Sequence, residues 1–213
     1  MMKPQIVLIG GGGHCISCID VIKAENKFEI AAILDSPDKV GNVVNGIKIS
    51  GTDHDIPNLV KKYKNFLITV GQIKTPSVRI RIFEKIESLG GNLPVIISPR
   101  AYVSQSSKIE KGTIIMHNSV INANSVIGKC CIINTGALVE HEAIIGDFCH
   151  ISTQAVVNGQ VKIGQRSFIG SNSVIANNVL LEEEVIIAAG ASVFRSIDSS
   201  GTYIGNPARK IIE

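Results

Sequence analysis

Residues 121–151, INANSVIGKCCIINTGALVEHEAIIGDFCHI, carry Ile or Val at 121, 127, 133, 139, 145 and 151. The spacing of six runs outward without a break, back to Val103 and on to Val193. An amphipathic helix repeats at 3.6 residues and a half-buried strand at two, so neither produces this pattern. A sustained hexapeptide period predicts a parallel β-helix. A second register sits four residues after each large aliphatic. Ser119, Ser125, Cys131, Ala137, Ala143, Cys149 and Ala155 hold it, and from Ser107 to Ala191 every occupant is small or Val. Both registers are expected to point into a triangular prism, with three hexapeptides per coil of 18 residues. Gly128, Gly146 and Gly164 share one phase of that longer period.

The rest of the composition fits a soluble globular chain. Of 213 residues, 45% are hydrophobic, 18% charged and only 4% aromatic, with no Trp. A narrow coil filled with Ile, Val, Ala and Ser needs few aromatic rings. The formal net charge of +3 is too small, and too evenly spread, to argue for nucleic acid. No apolar run approaches the roughly 20 residues of a membrane span, and no cleavable leader is evident, so a cytoplasmic location is expected. Five cysteines form no disulfide framework. Cys131 and Cys149 fall on the inward register. Cys15 and Cys18 read as two small residues on one helix face rather than a redox pair.

The first half alternates differently. QIVLI (5–9) reads as a strand, GGGGH (10–14) as a tight turn, Cys15–Glu25 as a helix and Ile30–Leu34 as a second strand. Phe66–Val70, Ser77–Leu89 and Leu93–Ile97 continue as strand, helix and strand. Alternation of this kind implies a parallel sheet covered by helices. The expectation is an α/β Rossmann-like domain over 1–97, followed by an all-β domain over 98–213 whose last residues cap the solenoid. At the first β–α turn, Gly12, Gly13 and His14 offer backbone N–H groups to a phosphate at a helix N-terminus. A strict G-x-G-x-x-G would need glycine at 15, where Cys15 stands, so the dinucleotide fingerprint is incomplete. Asp35, Ser36 and Gly71 end neighbouring strands, where base or ribose contacts are expected, although tight turns alone would also use these residue types.

IVLIGGGGH, ILDS (33–36), NTGALVEHEAIIGDFCHIS (134–152) and IGNPAR near the end together resemble bacterial sugar acetyltransferases. That family pairs an N-terminal Rossmann-like domain with a C-terminal left-handed β-helix and includes bacillosamine-pathway and sialic-acid enzymes. The resemblance implies a homotrimer, acetyl-CoA as cosubstrate, no metal and a nucleotide-linked amino sugar as acceptor, of the UDP-4-amino-4,6-dideoxy type. It also implies N-acetylation by direct attack, serving bacterial surface glycans. His141 would be the general base, and Glu142 would orient it. Neutral imidazole is suited to take a proton from a sugar ammonium near pH 7. His150, Ser171 and Ala189 match positions that line CoA in the family, while Gly12, Gly13, His14, Asp35, Ser36 and Gly71 match the sugar-nucleotide site. His150 follows His141 by nine residues, half a coil, so the two are expected on different sides of the prism. Asn134 serves either positioning or the coil turn, and His117 is read as structural. Three other readings stay open: an O-acetyltransferase of sialic-acid-like sugars, a metal-dependent enzyme of the γ-carbonic-anhydrase type, and a scaffold that only binds nucleotide sugar.

Overall fold

The computed structural model describes residues 2–211. The first unit holds β1 (Gln5–Ile9), α1 (Gly13–Glu25), β2 (Glu29–Leu34), β3 (Val43–Val44), β4 (Ile47–Gly51), α2 (Ile56–Lys62), β5 (Asn65–Ile68) and α3 (Ser77–Ser88). Its sheet has the order β3-β4-β2-β1-β5, parallel except for the β3–β4 hairpin. Period-two alternation on β1 sends Ile6 and Leu8 to one face, with α1, and Val7 and Ile9 to the other, with residues of α2 and α3. Helices therefore cover both faces, as a Rossmann-like sheet requires. The hairpin was not anticipated, although its turn residues Asn45 and Gly46, both at positive φ, were visible as the Asn-Gly pair.

The second unit is a parallel β-helix of two- and three-residue strands on three faces. Each strand pairs with the one 18 residues on, as in Val120↔Leu138 and Val126↔Ile144. The inward residues from Ile115 to Val193 are buried. Every sixth residue from Gly112 to Gly190 turns a corner in the left-handed region, with φ between 51° and 73°. Asn or Gly suits such positions, yet Cys130, Glu142, Phe148, Arg166 and Glu184 also hold them, at a steric cost of order 1 kcal/mol each. The glycines spaced by 18 are explained by coil stacking. A Cβ on Gly128, Gly146 or Gly164 would lie 2.7, 2.6 or 2.5 Å from a backbone nitrogen of the next coil.

One expectation is corrected. Leu93–Ile97 does not close the first sheet: Ile96–Ile97 pairs with Ile114–Ile115 and starts a β-helix face. Ile97 is the aliphatic one step of six before Val103, so the repeat begins earlier than its first reading. At the other end Gly201–Ile204 and Arg209–Lys210 extend that same face, and Tyr203 closes the core. Unpaired backbone at the end of the solenoid is thereby covered.

The three faces differ outward. On the face of Ile96, Ile114, Ile132 and His150, outward side chains are buried because α1 packs on them. This explains why α1 buries Cys15, Cys18, Ile19, Val21 and Ile22: it is wedged between two sheets. Both thiols are free and burial pushes both up, Cys18 strongly, the opposite of a reactive C-x-x-C. The second face carries Tyr102, Val120, Leu138, Val156 and Val174 outward, an apolar stripe without cover. The third mixes Lys108, Val126, Ile144, Lys162 and Leu180.

Candidate active site

His141 and Glu142 form the corner between the apolar and mixed faces. Both side chains are about half exposed. His141 Nδ1 lies 3.3 Å from Glu142 Oε2, which also accepts a 3.0 Å hydrogen bond from Gln160 Nε2 one coil on. Glu140 Oε2 accepts from the His141 backbone N–H at 3.2 Å and from Asn122 Nδ2 at 2.9 Å. With Nδ1–H donated to a carboxylate, the Nε2 lone pair is left for a proton. The residue 18 places beyond His141 is Gly159, and a Cβ there would sit 2.6 Å from His141 Nε2. Gly159 is thus the seat of the imidazole, and counting by coils from His141 would have found it. Gly159→Ala should leave the thermal midpoint unchanged, because an exposed ring can swing aside, while kcat falls by about 10- to 100-fold through misplacement of that ring. Unchanged kcat would refute the seat.

The sugar-nucleotide candidates gather at the carboxyl edge of the first sheet. Gly12 caps α1, and neither Gly12 nor Gly13 has a neighbour within reach of a Cβ. His14 stands behind them, 3.6 Å from the Cβ position of Gly71. Its Nε2 is buried and has no hydrogen-bond partner among the described residues. Burial, then the charges of Arg79 and His150, hold its pKa down to about 3. Asp35 Oδ2 accepts from Gly11 N–H at 2.6 Å, and Oδ1 accepts from Ser36 N–H at 2.7 Å, with Lys39 Nζ at 3.2 Å. Burial would raise the Asp35 pKa, but these donors outweigh it and hold the carboxyl below its ordinary range.

His150 lies on the face covered by the first unit, only 8% exposed. Its Nδ1–H donates to Gln72 O at 2.6 Å, and its Nε2 accepts from Asn134 Nδ2 at 3.1 Å. The tautomer is therefore set, and both nitrogens are engaged within the chain. Gln72 Nε2 in turn donates to Phe148 O at 2.7 Å. Ser171 Oγ meets Ser152 Oγ at 3.0 Å, and Ala189 stacks one coil beyond Ser171. These residues share the corner between the covered and apolar faces, so the chain does not bring them to His141. His117 bridges the two units through Ser98 Oγ at 2.6 Å and Asp20 Oδ2 at 2.8 Å. Sequence reasoning also missed Arg79. It is buried between the units, and its guanidinium donates to the carbonyls of Ile68, Val70 and Cys130 at 3.0, 2.6 and 2.8 Å. No periodic signal marks such a side chain.

Burial, and less strongly Arg79, lower the His150 pKa from 6.5 to about 4, against a raising bond to Gln72. The folded state then binds fewer protons than the unfolded one between these values. Stability is full above about pH 6.5 and should fall by about 3 kcal/mol as pH drops toward 4. His14, held down to about 3, adds a similar slope across that window, so thermal midpoints in His150→Asn should lose about half of their slope, and an identical slope would refute the assignment.

Residues 5–86 match the family profile of the PglD N-terminal domain, and residues 92–200 that of the GMPPB C-terminal domain. Perosamine N-acetyltransferase from Caulobacter crescentus, solved as a histidine variant with CoA and GDP-perosamine, is 31% identical. It superposes with a TM-score of 0.93 over 100% of this chain and 99% of that one. The acetyltransferase domain of PglB from Neisseria gonorrhoeae is 30% identical with a TM-score of 0.90, over 98% and 100% of the two chains. The same domain has also been solved with acetyl coenzyme A. WeeI from Acinetobacter baumannii, 21% identical over 98% and 100% of the chains, shares the fold with a TM-score of 0.86. No curated protein matches the sequence significantly. The chain belongs to the bacterial sugar acetyltransferases, which draw their acetyl group from acetyl-CoA. Among the described residues, no group of three or more His, Cys, Asp or Glu is placed to hold a metal ion, and no helix is long and apolar enough to cross a membrane.

Proposed function

We propose that the protein N-acetylates a nucleotide-linked amino sugar of the 4-amino-4,6-dideoxy type for a bacterial surface glycan. The observation that carries this reading is the His141–Glu142 pair, with the imidazole seated against Gly159 and Nε2 without a hydrogen-bond partner among the described residues. The similarity to enzymes solved with CoA and GDP-perosamine supports the substrate class. The sugar ammonium gives up one proton to solvent as it enters the site, and His141 Nε2 takes a second from the same nitrogen as the amine attacks the thioester carbonyl. Collapse of the tetrahedral adduct forms the amide and breaks the C–S bond, and the proton goes on to the departing thiolate. Glu142 holds the imidazole orientation throughout.

The working form is a homotrimer. The apolar stripe lies between two corners, one with His141 and the other with Ser171 and Ala189 beside His150. Packing stripes about a threefold axis sets the first corner of one subunit against the second corner of the next. His150, Ser171 and Ala189 then line acetyl-CoA in the groove, while Gly12, Gly13, His14, Asp35, Ser36 and Gly71 hold the sugar nucleotide. Both substrates are made in the cytoplasm, which is where the enzyme would act.

Purified protein, acetyl-CoA and a panel of acceptors decide the matter by mass spectrometry of the products. Nucleotide-linked amino sugars should gain an acetyl group stable to hydroxylamine. Transfer only to hydroxyls of sialic-acid-like sugars would favour O-acetylation, and no transfer to any acceptor would refute the reading.

A further inference from the structure

A cavity of about 370 Å³ opens where the sheet order reverses, between the ends of β1 and β5. Its size is that of a small-ligand site. Ile9, Val70, Val78 and Ile82 line it with apolar surface, and Asp53 and Arg81 line it with side chains open to solvent. In an open α/β sheet this is where the base of a nucleotide lies, with its phosphates at the N-terminus of the first helix. Asp35, the acid at the end of β2, also lines the cavity, but its oxygens already receive Gly11, Ser36 and Lys39. Asp53 is different. Its nearest charged partner, Arg81 Nη2, is 3.7 Å away, too far for a hydrogen bond, and among the described residues no donor bonds its carboxylate.

We infer that this pair selects guanine as the base of the nucleotide sugar, with Asp53 reading N1–H and N2–H₂ and Arg81 reading O6. Asp53 offers two adjacent acceptors, and Arg81 a donor beside them. Guanine alone among the common bases presents the matching edge, two adjacent donors followed by an acceptor. Uracil has one donor between two acceptors, so a carboxylate that took its N3–H would face a carbonyl. Adenine and cytosine each set a lone pair beside their amino group and would direct it at a carboxylate oxygen. Bidentate pairing of this kind discriminates by about tenfold or more. The sequence expectation of a UDP-sugar is replaced by this reading, which rests on the proposed use of a nucleotide-linked sugar.

Calorimetric titration of the intact protein with GDP, IDP, UDP, CDP and ADP tests it. GDP should bind about tenfold or more tightly than UDP, CDP or ADP. IDP lacks only the 2-amino group and should bind distinctly more weakly than GDP. In Asp53→Asn the GDP–IDP difference should vanish while UDP affinity stays the same, a change that general damage to the pocket would not produce. UDP binding as well as GDP, or IDP binding as well as GDP in the wild type, would overturn the guanine reading and leave the acetyltransferase reading intact. Failure of every nucleotide to bind would overturn the guanine reading together with the nucleotide-linked acceptor on which it rests.

Discussion

His141→Ala should lower kcat by about 10²- to 10⁴-fold, the usual contribution of a general base, with little change in the KM for acetyl-CoA. The side chain is half exposed and contributes nothing to the inward stack, so the thermal midpoint should hold within about 1 °C. Glu142→Gln keeps the shape and a hydrogen-bond acceptor for Nδ1–H but removes the charge that stabilises the protonated ring, so a smaller loss, of about tenfold, is expected. Glu142 also turns its corner at φ 59°, a conformation tolerated because backbone bonds on both sides hold it. Glu142→Asn should therefore fold at least as well as the wild type while losing activity. Steady-state kinetics and thermal melts of the same three preparations decide the case. Undiminished turnover in His141→Ala would remove His141 from the reaction.

Leu138→Asp should convert the proposed trimer to monomers and abolish turnover together. Leu138 sits at the middle of the apolar stripe, with Val120 and Val156 paired on either side. In an assembled trimer the substitution would bury three carboxylates without partners, each costing several kcal/mol, and every 1.4 kcal/mol is tenfold in association. In the monomer the same residue faces water, so secondary structure and the prism core should be unaffected. Light scattering on the eluting protein, with activity measured in the same fractions, separates the possibilities. A trimeric Leu138→Asp, or a fully active monomer, would contradict a site shared between subunits.

The repeating half of the chain was legible because each residue type answers to one local constraint. Inward positions require aliphatic or small side chains, and the coil phase of Gly128, Gly146 and Gly164 records backbone contact between turns. The same phase placed His141 and His150 on different sides, as the structure shows. The alternating half was legible where helices and strands are long. Val43–Val44 and Ile47–Gly51 are short, and their Asn45-Gly46 turn was overlooked. Ile96–Ile97 joined the wrong sheet because a two-residue strand has no period of its own, and only its distance from Ile114 reveals its partner. Contacts between the units were illegible. Arg79, Gln72 and the partners of His117 depend on how α1 and α3 rest against the prism, and no spacing within either half encodes that. Gly159 lay between these extremes, available to arithmetic once His141 had been chosen.

The coil also limits how the chain can change in length. Parallel pairing holds each rung to the one 18 residues away, so a whole coil can be lost or gained and every remaining side chain keeps its face. An insertion that is not a multiple of six must be extruded at a corner, or it turns all later aliphatics away from the interior, while six or twelve residues keep them inward but move every later residue to another face. Variation in this architecture is thus quantised along the axis and free only at the edges. The His141 edge, where Glu142 already departs from the residues that turn most easily, is where the proposed reaction would use that freedom.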